Sequence, residues 1–140
     1  MVNLFYEETE VLGLDPDFFV LWLSDVCKKH NRNLGEINLI FCSDEYLLQI
    51  NKEHLDHDYY TDIITFDYYE ENISGDLFIS VDRVKENAKD LKIEFTQELH
   101  RVVVHGTLHL LAFGDKTKDE EVLMRKLEDE ALLLIVPRET

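Results

Sequence analysis

Apolar residues spaced by three and four open the readable pattern of this chain. Phe19, Trp22, Leu23 and Val26 fall on one helical face as far as about His30, with Asp15 as N-cap and Pro16 at the first helical position. Ahead of this, Val2 to Tyr6 reads as a short strand. Glu36 to Cys42 then alternates through Ile37, Leu39 and Phe41, the period of a strand with one buried face. Ser43 caps a short helix, Asp44 to about Asn51, and Glu53 to Tyr60 is a His/Asp/Tyr-rich loop without periodicity. Ile63 to Phe66 and Leu77 to Ser80 read as strands, with a turn signal at Asn72 to Gly75 between them.

The remainder is helical. Ser80 opens a helix with Val81, Val84, Ala88 and Leu91 on one stripe, and Thr96 opens the next. The centre of that second helix (Val102, Val103, Val104, Leu108, Leu110, Leu111, Phe113) is apolar all round, which predicts burial. Thr117 and Glu120 form a capping box for a last helix through about Leu134. Strands gather early and helices late, which favours an α+β fold over strict βαβ alternation.

At 140 residues the chain fits one domain, 1–140, and its five Gly and two Pro leave no linker or disordered tract. Cys27 and Cys42 lack metal-type spacing and read as reduced, packed thiols of a cytosolic protein. No leader-like or spanning apolar run is present, so the expected location is cytoplasmic, with no membrane partner. A formal charge of −16 opposes loose binding to DNA or anionic membranes. The charge is uneven, because half of the 14 Lys and Arg (Arg83, Lys85, Lys89, Lys92, Arg101, Lys116, Lys118) lie between Val81 and Lys118. Solvated helix faces balanced by neighbouring acids are the simpler account of this.

Chemistry concentrates in His105-Gly-Thr-Leu-His109, followed by Asp115 across Gly114. Residues four apart share a helix face, so two imidazoles can grip one cation. A protease of the H-E-x-x-H kind carries its base after the first His, where this chain has Gly106. Had the helix continued, Asp115 would lie roughly 80° from His105 and 120° from His109, out of reach of their cation. Gly114 is expected to stop the helix and let Asp115 swing back, and Gly106 to leave room for a neighbouring backbone or substrate. Two histidines satisfied by hydrogen bonds in a core remain the alternative. Three protein ligands with an open fourth position describe catalytic zinc, one ion per chain, whose bound water is acidified towards a pKa of about 7. One carboxylate lowers the site charge relative to three histidines, and oxygen ligation also suits manganese or magnesium.

The stretch from His105 to Asp115 resembles the YbeY family of rRNA-maturation endoribonucleases, whose signature runs H-G-x-L-H-L-x-G-Y-D-H. Asn51 to Phe66 is similar to the family's N-x-x-[FY]-R-x-x-D-x-[PY]-T-D-V-L-S-F, and Ser74 to Ser80 to its L-G-D-I-x-I-S. The three blocks keep the family's order and cover nearly the whole chain. The resemblance implies a small mixed sheet packed by helices, with a zincin-like metal-binding helix followed by a turn. It implies a zinc-dependent, single-strand-specific endoribonuclease acting in rRNA processing, at the 16S rRNA 3′ end, and in ribosome quality control. Its partners would be precursor rRNA and the small ribosomal subunit. The family's ligands carry over to His105, His109 and, where the family has a third histidine, Asp115. The family's arginine falls on Leu55, so Arg83, Lys85 or Arg101 would have to replace it, or a ribosomal partner would. A non-catalytic ribosome-assembly protein with a structural metal is the rival reading, and a hydrolase of small non-peptide esters a third.

The catalytic group itself is unassigned, with Asp76, which keeps its place in the third block, as the candidate. Thr61 and Asp62 precede a strand and are candidates to orient a metal-bound histidine, against plain turn chemistry. His54 and His57 read as solvated imidazoles. Tyr59, Tyr60, Tyr68 and Tyr69 are candidates to stack on unpaired bases, or simply core and rim. Glu98, two turns before His105, is either a base or an ordinary helix-start acid.

Overall fold

The computed structural model describes residues 1–135. Its four strands are β1 (Val2–Glu7), β2 (Leu34–Cys42), β3 (Ile63–Asp67) and β4 (Ile73–Ser80), ordered β1-β2-β4-β3 in one sheet. β1 is parallel to β2 and β2 to β4, whereas β3 is antiparallel to β4, so the sheet is mixed as the resemblance implied. The helices are α1 (Pro16–Lys29), α2 (Asp44–Leu55), α3 (Val81–Leu91), α4 (Phe95–Leu110) and α5 (Lys118–Leu133). The class is α+β.

Strand alternation decides which helices cover which face. Ile37, Leu39, Phe41, Leu77 and Ile79 point into the main core, where they meet Phe19, Trp22 and Leu23 of α1 and Leu99, Val103 and Leu108 of α4. Burying each such side chain fully contributes about 1.5–3 kcal/mol, so this face carries most of the stability. The opposite face has a smaller cluster in which Leu47 of α2 packs with Cys42 and Ile64, flanked by Phe66 and Phe78. Trp22 Nε1 donates to the Ala131 carbonyl at 2.9 Å and so ties α1 to α5 across the core.

The caps follow the sequence. Asp15, Ser43, Ser80 and Thr117 each accept a first-turn N–H, and Thr117 with Glu120 completes a reciprocal capping box. Several boundaries differ, three of them for a visible reason. β4 starts at Ile73, because Leu34 and Ile37 of β2 pair with Ile73 and Gly75 while Asp67 of β3 takes the other side of Gly75. Two flanking strands thus override the local turn signal. Helix α2 runs on to Leu55 and ends at Asp56 in the left-handed region. Helix α4 starts at Phe95 with Glu94 as N-cap and no side-chain cap bond, so Thr96 caps nothing. Phe95 already packs on the core, and that contact draws the helix start forward.

Candidate metal centre

Helix α4 lies close against β3 and β4 because Gly106 has no side chain. A Cβ there would stand 2.7 Å from Ile63 Cδ1 and 3.0 Å from Leu77 Cδ2. The space expected for backbone or substrate is therefore filled by sheet side chains. This close approach leaves His105 and His109 half-buried at the edge of the helix, facing a cleft rather than sealed in the core.

The helix ends before Gly114. Ala112, at φ 74, takes the left-handed position, with Phe113 N–H on the Leu108 carbonyl at 3.0 Å and Ala112 N–H on that of His109 at 2.9 Å. This bond pair is the Schellman arrangement, normally built on glycine. Gly114 does something else: a Cβ there would stand 2.6 Å from Glu120 Oε2, inside the capping box of α5. The expected turn exists, two residues earlier and on a different residue. It returns Asp115 to the histidine face.

There His105 Nε2 and His109 Nε2 are 3.0 Å apart, and Asp115 Oδ2 is 3.2 Å from each. The far nitrogens settle what this means. His105 Nδ1 lies 2.7 Å from Glu128 Oε2, and His109 Nδ1 lies 2.9 Å from the Phe113 carbonyl oxygen. Both partners accept only, so each Nδ1 carries its hydrogen, and whenever a ring is neutral its Nε2 lone pair turns inward. Two ring nitrogens and a carboxylate converging on one point suit a cation between them, a metal ion or a shared proton. Zinc fits in size as well: with bonds of about 2.0–2.1 Å, tetrahedral ligands stand about 3.3 Å apart. Among the described residues this trio is the group of His, Cys, Asp and Glu that meets a metal-site geometry. The two rings are half-buried at the cleft edge rather than sealed in the core.

The sequence pattern alone does not single out Glu128, although a signal exists. It shares the buried stripe of α5 with Met124, Leu127 and Ala131, an acid among core positions. Its Oε1 accepts from Arg101 Nη1 at 2.9 Å, while Arg101 Nη2 reaches Asp129 at 2.8 Å. Burial alone would depress the His105 pKa, but the Glu128 hydrogen bond and charge, with Asp115 and Asp62, outweigh it and raise it. Burial would likewise raise Glu128, yet His105 and Arg101 hold it below the usual range.

The trio opens onto a cleft of about 680 Å³, walled by β3, the end of α2 and the following loop. Thr61, Asp62, His57, Tyr59 and Tyr69 line it, and so does Leu55. Asp62 does not orient a histidine, since Glu128 holds that place; burial pushes its carboxyl pKa up, against the opposing pull of His105. Asp76 is not brought to the cleft: it lies on the opposite sheet face, where Asn38 Nδ2 donates to it at 2.9 Å and Tyr68 also bonds it. Tyr60 is tethered to Glu45, and His54 packs on Phe66. Glu98 is buried beside a second, smaller cavity of about 240 Å³ that also reaches His105, with Oε1 unpartnered. None of the three basic residues weighed against Leu55 lines the cleft. Arg83 pairs with Asp44 at 2.7 Å, Lys85 with Glu10 at 3.0 Å, and Arg101 with Glu128 and Asp129.

Comparison with known proteins gives this geometry a lineage. The family model for Endoribonuclease YbeY matches residues 11–135. The chain belongs to the YbeY endoribonuclease family. YbeY relatives include the Endoribonuclease YbeY of Porphyromonas gingivalis, 50% identical over 135 residues (96% of this chain, 89% of the relative). That of Flavobacterium johnsoniae is 50% identical across 96% of each chain, and that of Cytophaga hutchinsonii 55% identical across 81% of this chain and 80% of its own. A solution structure of a Thermotoga maritima protein superposes with a TM-score of 0.62 at 27% identity, covering 94% of this chain and 89% of that one. Among the described residues no helix is long and apolar enough to cross a membrane.

Proposed function

We propose that this chain is a single-domain, zinc-dependent endoribonuclease that cuts single-stranded regions of precursor rRNA. One zinc ion would be held by His105 Nε2, His109 Nε2 and Asp115 Oδ2. The observation that carries the reading is the inward turn of both Nε2 lone pairs, enforced by Glu128 and the Phe113 carbonyl. Bound zinc supplies Lewis acidity, activating water and offsetting charge that develops on phosphoryl oxygens. The chain's own residues do the rest. Glu128 fixes the His105 ring and Arg101 holds Glu128 in turn. Asp62, in the cleft wall with its carboxyl pKa raised by burial, is the group we assign to accept a proton from the attacking water.

Family membership supports RNA as substrate, and the resemblance supports maturation at the 16S rRNA 3′ end on the small ribosomal subunit, in the cytoplasm. The test is elemental analysis with cleavage of a precursor-rRNA fragment. The expected result is one zinc per chain and activity lost in His105→Ala and His109→Ala. Undiminished cleavage by those variants would end the catalytic claim. A protein that unfolds on chelation and never cuts RNA would select the assembly-factor rival, which the acidic cleft and Leu55 favour.

A further inference from the structure

Tyr69 is an expensive residue with no evident return inside the fold. Its side chain is 88% exposed, and its φ of 56 lies in the left-handed region, where a bulky residue is strained. The loop holds that conformation deliberately, because Tyr69 N–H donates to Asp67 Oδ1 at 2.7 Å, two residues back. The ring therefore stands in solvent at the rim of the cleft that contains the histidines. At the other end of β3 a second aromatic surface lines the same cleft. There the His57 and Tyr59 rings stack with centroids 5.0 Å apart and planes 22° from parallel, joined by a 2.9 Å bond from Tyr59 Oη to His57 Nδ1. Asn51 Nδ2 anchors that loop by donating to the Tyr59 carbonyl at 2.9 Å. β3, five residues and roughly 13 Å long, runs between the two surfaces in sequence.

The charge of the cleft says what these rings are for. Asp62, Asp67 and Asp115 line it, and among the described residues Lys116 is the sole Lys or Arg that does. A polyanion gains little there from its phosphates. Nucleobases, by contrast, are neutral and present flat π-faces to any exposed ring, whatever their identity. We propose that Tyr69 and the His57–Tyr59 pair form two stacking platforms that grip unpaired nucleobases of a single strand. Base stacking then stands in for the phosphate bond that an arginine would make and Leu55 cannot. Double-stranded RNA, whose bases are already stacked, is rejected by the same device.

The ligand class rests on the endoribonuclease reading, and the test reads binding rather than cleavage. A 2′-O-methyl single strand of mixed sequence, verified intact after the titration, is titrated into the zinc-loaded chain by fluorescence anisotropy. Tyr69→Ala and Tyr59→Ala each weaken binding roughly fivefold or more, while Tyr69→Phe retains it. The slope of log affinity against log salt is near −0.7, the value for about one phosphate contact to a single strand. Tyr69→Gly relieves the backbone, so its Tm equals or exceeds that of the parent while binding falls; a merely structural ring would give a lower Tm. Equal affinity for an abasic strand with the same phosphates would overturn the proposal. So would unchanged binding by Tyr69→Ala. A chain that cuts RNA through His105 but is indifferent to these rings refutes the platforms and leaves the endoribonuclease reading standing.

Discussion

Replacing Glu128 by Gln exchanges one carboxylate oxygen for an amide nitrogen and changes almost no volume. Oε2 holds His105 Nδ1 at 2.7 Å and Oε1 holds Arg101 Nη1 at 2.9 Å, and the residue is only 5% exposed, so no bulk water replaces a missing acceptor. A glutamine has one acceptor oxygen for two donors. With that oxygen on His105, the amide N–H groups face the Arg101 guanidinium and a charge-assisted bond worth about 1.5–3 kcal/mol is lost. With the oxygen on Arg101, the amide donates to Nδ1 and drives His105 into the other tautomer, placing a hydrogen on Nε2 where the ion should sit. Either way the ligand is less basic or misdirected. Loss of such an orienting partner costs about 10- to 100-fold in metal affinity. Competition with a chromophoric zinc chelator at neutral pH should therefore show Glu128→Gln weaker by that factor, with circular dichroism unchanged. A variant that retains parental zinc affinity would refute the claim that Glu128 sets the His105 tautomer.

Four further outcomes follow from individual contacts. Ala112→Gly removes the left-handed penalty at the end of α4, about 1–2 kcal/mol partly offset by glycine's unfolded-state entropy, so Tm should rise by a few degrees; a fall would show that the Ala112 methyl has a packing role. Gly75→Ala forces a Cβ to 2.4 Å from the Phe66 carbonyl oxygen and 2.8 Å from Leu110 Cδ2, and should destabilise by about 1–3 kcal/mol in chemical denaturation; an unchanged midpoint would contradict the tight pairing of β3 with β4. Burial pushes the Cys27 thiol up to about 11 and that of Cys42 up to about 12, so neither should react with a disulfide reagent at pH 8 until the chain unfolds; rapid native-state labelling would contradict their burial. In the metal-free chain the raised His105 contributes stability that is complete below its ordinary 6.5 and lost as pH rises through the raised value. The depressed Glu128 contributes above its ordinary 4.5 and loses that contribution as pH falls through the lowered value, so together they favour the window from 4.5 to 6.5. Thermal melts of the chelated protein across that range, compared with Glu128→Gln, check this; identical profiles would rule it out.

Local pattern determined a good deal. The helix stripes, the caps at Asp15, Ser43, Ser80 and Thr117, the α+β class and the pairing of His105 with His109 on one face depend on residues within a few positions of one another, and a linear chain displays such relations directly. The three family blocks carried the resemblance for the same reason. What the sequence could not display were contacts between distant segments. β4 begins at Ile73 because strands from elsewhere flank it, and Gly106 is required by Ile63 and Leu77, some forty and thirty positions away. Asp76 leaves the site because the alternation of β4 turns it to the other face of the sheet. Glu128 enters it because α5 packs beside α4. Arg83, Lys85 and Arg101 lie near the His105–His109 motif in sequence, yet folding commits each to an acid and leaves the cleft with aromatic rings and, of its described Lys and Arg, Lys116. Side-chain chemistry is written in the chain; which lone pair faces which neighbour is a property of packing, and packing alone turned two histidines and an aspartate toward a common point.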